Sequence, residues 1–94
     1  MTWPTWGEDE YVAYLTSERR RFAWVMRRYG QLTTEQADAA ASAQYPYEPA
    51  DTPYRGLVFH DESWNWAMQS IHGDDYPLTH PELVWPPPEY DAID

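Results

Sequence analysis

Trp64, Ala67, Met68 and Ile71 recur at i, i+3, i+4 and i+7, and this spacing restricts the fold more than any other feature of the chain. The four side chains make one apolar stripe on a short helix, which requires a second surface to cover it. The spacing predicts a helix over Glu62–His72, started by Asp61, Glu62 or both, with Gly73 as its stop. His72 falls in the last turn, where a positive ring suits the helix dipole. Trp66 lies off the stripe, so the helix is expected to be covered on more than one side.

The covering surface comes from the first half of the chain. Over Glu8–Tyr29 the residues Tyr11, Leu15, Phe22, Val25 and Tyr29 share a helical face if the repeat is carried through Glu18. Glu8, Asp9 and Glu10 open this segment and Arg27 and Arg28 close it, as the dipole favours. Gly30 marks the stop. The segment reads as one helix, or as two pieces divided at Thr16–Ser17, because a serine before Glu18 can cap a new helix. Thr33 and Gln36 then have the spacing of a capping box, with Leu32 and Ala37 placed for a hydrophobic staple. The helix they start, Thr34–Ala43, presents alanines, which allow close approach to aromatic neighbours. A short link makes the two helices an antiparallel hairpin.

Proline and tyrosine dominate what remains. Residues 44–56 contain Pro46, Pro49 and Pro53 among Tyr45, Tyr47 and Tyr54, and read as extended chain laid on the helices with the tyrosine hydroxyls wet. Leu57, Val58 and Phe59 read as a brief extended plug. Residues 74–94 have no long helix. Thr79 and Pro81 can start one short turn, and Trp85 before Pro86–Pro88 reads as a polyproline strap. The fold class expected is all-α: a three-helix domain, hairpin plus third helix, wrapped by long proline- and aromatic-rich extended segments. The chain reads as one domain over 1–94, with an N-terminal arm (1–7) and a C-terminal strap (74–94).

Six Trp, eight Tyr and two Phe in 94 residues are more ring surface than so short a chain is expected to hide alone. Trp3, Trp6 and Trp85 lie in the arms and are the expected anchors for another molecule. Arg19, Arg20, Arg27 and Arg28 join them, since tryptophan, tyrosine and arginine dominate binding hot spots. The formal net charge is -10, lysine is absent, and everything after Arg55 carries acids only. The acidic half, or that of a second copy, is expected to face the arginine-bearing helix.

The charge opposes nucleic acid and anionic membrane. The segment after Gly30 offers no basic recognition helix, so a helix-turn-helix reading fails. With no cysteine there is no thiolate chemistry. No apolar run spans a membrane and no leader pattern opens the chain, which makes a cytoplasmic protein the expectation. The preferred reading is a non-catalytic interaction or accessory protein, self-associating or bound to a protein partner, with no cofactor and no small ligand specified. One alternative is a metal-binding or metal-dependent subunit using His72, Asp74 and His80, a set of imidazole and carboxylate ligands near one turn. His60 is about 18 Å from His72 along the helix and cannot join them. Another is an acidic mimic of nucleic acid that occupies a basic partner.

Overall fold

The computed structural model describes residues 6–93, which form five α-helices: α1 (Glu8–Tyr29), α2 (Thr34–Gln44), α3 (Ser63–His72), α4 (Tyr76–Thr79) and α5 (Pro88–Asp91). Two 3-10 turns, Leu57–His60 and Pro81–Leu83, complete the regular structure, and no strand occurs among the described residues.

α1 is a single helix. Thr16 does not break it, because its hydroxyl donates back to the Val12 carbonyl at 2.8 Å and so satisfies itself inside the helix. Its buried stripe is Tyr11, Leu15, Glu18, Phe22, Val25 and Met26. A carboxylate therefore occupies a core position. Gly30 ends the helix, but the residue that takes left-handed backbone is Gln31, at φ 58°. Glycine is required at 30 for another reason: a Cβ there would lie 2.7 Å from the Met26 carbonyl oxygen and 3.4 Å from Ile71 Cδ1.

α2 begins as its capping box dictates. Thr33 Oγ1 accepts from Gln36 N–H at 3.1 Å and Gln36 Oε1 accepts from Thr33 N–H at 3.0 Å. Its buried residues, Ala37 and Ala41, have no bulk, and the helix packs closely on α1. α3 also packs on α1, burying Trp64, Ala67 and Met68 as the stripe requires. Trp66 is covered from the side by the 57–60 turn, whose Val58 carbonyl accepts its indole N–H at 3.1 Å.

The expected three-helix count and extended wrapping are overturned. Five α-helices are present among the described residues, residues 50–56 run through turns, and the second proline-rich stretch carries short helical pieces. Pro81 starts the short turn expected of it, over Pro81–Leu83, and Pro77 and Pro88 also sit in the first turn of a short helical piece. Proline's fixed φ suits a first helical turn as well as an extended strap, and its missing N–H is unneeded there. The 57–60 plug is likewise helical rather than extended. Tyr45, expected on the surface, is fully buried.

One arginine pins residues 45–56 to the start of α1. Arg55, 5% exposed, lies 3.8 Å from the Tyr11 ring centroid and donates to Glu8 Oε1 at 2.6 Å and the Glu48 carbonyl at 2.8 Å. Next to it Gly56 has φ +85°, and a Cβ would come within 2.5 Å of Trp6 Nε1. Gly56→Ala is expected to cost about 1–2 kcal/mol from the left-handed backbone, more where Trp6 must move. Chemical denaturation of the variant beside wild type measures it.

Candidate functional site

The anchors fall into different environments. Trp3 lies outside the described residues. Trp6 is half-buried, edge-on to Tyr14 at 5.4 Å and Phe59 at 5.6 Å. Trp24 and Trp66 also pack against the chain's own core, and Trp64 lies within it. Trp85 stands apart at 82% exposure. It borders a groove of about 310 Å³ with Trp64, Tyr76, Val84 and Pro86, and Asp61 and Glu62 put carboxylates beside it. Leu78, Tyr54 and Tyr47 are exposed elsewhere, at 85%, 64% and 50%.

The arginines divide by helical face. Arg28 lies over the Trp24 ring at 5.4 Å and pairs with Glu89 of α5 at 3.4 Å. Arg21 Nη2 donates to the Ile93 carbonyl at 3.3 Å. The acidic half thus reaches this side of α1. Arg19, Arg20 and Arg27 instead line a second groove, of about 300 Å³, with Asp38 and Ala41 of α2. Arg19 is fixed by donation from Nε to the Tyr45 carbonyl at 2.8 Å.

His72 and His80 come together, their rings stacked with centroids 4.0 Å apart. His80 Nδ1 is also 3.0 Å from Thr79 Oγ1. No group of three or more histidine and acidic side chains is placed to hold a metal ion among the described residues.

A polar cluster that the sequence did not single out lies between α1 and α3. Glu18, 6% exposed, accepts from the Ser63 hydroxyl, and Ser63 is fully buried at the first residue of α3. Serine has one proton to give. The Tyr45 hydroxyl, 3.1 Å from Ser63 Oγ, is therefore the donor of that pair. Arg21 Nη1 stands 3.9 Å from Glu18, and the positive end of α3 adds to the field that holds the carboxylate. The Tyr90 hydroxyl completes the α3 terminus by accepting from Trp64 N–H at 3.1 Å. Beside this cluster is a pocket of about 250 Å³ that Tyr14, Phe59 and Tyr90 help to wall. The one sign in the sequence was a glutamate in core register on the α1 stripe.

Burial is the main cause that raises the phenol pKa of Tyr45, Tyr90, Tyr76 and Tyr14 above the ordinary value. Below about pH 10 these hydroxyls are protonated in both states. Above it the unfolded chain releases protons that the folded chain keeps, so stability falls as pH rises. In an alkaline titration, phenolate absorbance of the buried tyrosines should appear together with loss of helical circular dichroism. Tyr45→Phe should lose stability less steeply over that range.

No helix among the described residues is long and apolar enough to cross a membrane. No protein-family model, curated protein or solved structure matches the chain. The described fold is a compact all-helical one with exposed aromatic and aliphatic side chains, consistent with a protein-interaction surface.

Proposed function

We propose that this chain is a non-catalytic interaction or accessory protein of the cytoplasm that binds a protein partner, a second copy included. Trp85 is its main anchor. The observation that carries this reading is the 82% exposure of Trp85 in a chain whose other described tryptophans all pack against or within its own core. An exposed indole at the edge of a groove walled by rings and carboxylates is the kind of residue that dominates binding energy. Asp61 and Glu62 at that groove favour a partner that offers an apolar recess bordered by basic groups. The absence of arginine and lysine after Arg55 points the same way.

The test compares wild type with Trp85→Ala in native mass measurement and in affinity capture from native cytosol with mass spectrometry. A complex that Trp85→Ala weakens more than about tenfold is the expected result, as for a hot-spot residue. Monomer alone with no retained protein would end the proposal.

A further inference from the structure

The arginine groove between α1 and α2 has the chemistry to receive an indole flanked by carboxylates. Its floor is methyl groups: Ala23 of α1 is 3% exposed and Ala41 of α2 is 2% exposed. Its walls include Arg20 and Arg27, two helical turns apart on one face of α1, with Arg19 beside them and Asp38 of α2 as the one carboxylate among the lining residues. Flat guanidinium faces stack on aromatic rings, and their edges pair with carboxylates. Arg19 is already held by Tyr45, so part of the wall is in place before anything binds. The chain's own Arg28–Glu89 and Arg21–Ile93 contacts are made by other α1 arginines and do not use Arg19 or Arg27.

A segment with the matching chemistry exists in this same protein. Trp85 is exposed, Glu82 lies three residues before it, and Pro86–Pro88 restrict the backbone after it. Residues 56–94 hold eight carboxylic side chains and neither arginine nor lysine. We propose that the α1–α2 groove of one copy receives Trp85 and Glu82 of a second copy. This rests on the reading of Trp85 as an anchor and names what the anchor enters. Net charge opposes the approach of two copies, but that repulsion is screened beyond about 8 Å at physiological ionic strength. Contacts between guanidinium and carboxylate are much shorter than that. Groove and anchor are different surfaces, so each such contact joins unlike patches of the two copies.

Sedimentation equilibrium of the full chain at physiological salt tests the pairing, with Trp85→Ala and Arg27→Glu as variants. Both replaced side chains are exposed, and circular dichroism confirms that each variant is folded. Wild type should associate reversibly, and each variant should raise the dissociation constant more than about tenfold. An equal mixture of the two variants should recover a 1:1 complex, because each supplies the surface that the other lacks. Wild type that stays monomeric into the millimolar range overturns the inference. So does association that survives either variant, or a mixture that fails to pair. If the chain is monomeric but holds a different protein through Trp85, the second copy is refuted as occupant while the interaction reading stands.

Discussion

Trp64→Ala is expected to lower stability by about 3–5 kcal/mol, the usual range for removing a large aromatic side chain from a packed core. Trp64 is 2% exposed. Its ring meets Tyr29 of α1 at 5.3 Å and Tyr90 of α5 at 5.5 Å, both edge-on. Its indole N–H donates to the Leu83 carbonyl at 2.8 Å. One side chain thus ties α3 to α1, to the 81–83 turn and to α5. Alanine would leave a cavity bordered by rings that cannot collapse far, and an acceptor on Leu83 without its partner. Domains of this kind have about 5–15 kcal/mol in total. The loss should therefore reduce the melting temperature by roughly 15 °C or more. Thermal unfolding followed by circular dichroism measures it. A change of only a few degrees would show that the C-terminal turns are not held to the core through this ring.

Ser63→Ala is expected to cost about 2–3 kcal/mol, because it removes a hydrogen-bond donor from a buried carboxylate. Glu18 would keep only Arg21, at 3.9 Å, as the described charged neighbour. Tyr45 would lose the acceptor at 3.1 Å. The control is Glu18→Leu, which removes the buried charge and fills its place with an apolar side chain. In that background Ser63→Ala should cost much less. The resulting double-mutant cycle should give a coupling within the 0.5–3 kcal/mol typical of side chains in one network. Equal costs in both backgrounds would mean that Ser63 matters for packing alone.

The helices that carry the core were legible in the order of the residues. α1, α2 and α3 each follow from apolar periodicity or a cap: Tyr11 to Val25, Thr33 with Gln36, and Trp64 to Met68. These are local signals, set by 3.6 residues per turn and by the unpaired groups at helix ends. Proline was ambiguous for an equally local reason. Pro77, Pro81 and Pro88 permit both a strap and a first helical turn, and the choice depends on what the neighbouring side chains bury. Tyr76 and Tyr90 become buried, so the chain coils there to deliver them.

The candidate surfaces were legible as residue types but not as places. Arg19, Arg20, Arg27 and Arg28 read together as anchors on one arginine-bearing helix, and the structure divides them between two faces of α1. Trp6 and Trp85 both read as arm tryptophans. Packing puts one against Phe59 and leaves the other in solvent. Glu18, Tyr45 and Ser63 come from three distant stretches of chain, and no local rule joins them. A buried carboxylate is tolerable only where a hydroxyl, a cation and a helix terminus converge on it. Periodicity and capping act within a few residues, so the chain's order alone set the three long helices. Burial and charge pairing act between segments far apart in the chain, so only the packed molecule decided which polar groups lie inside and which indole faces outward.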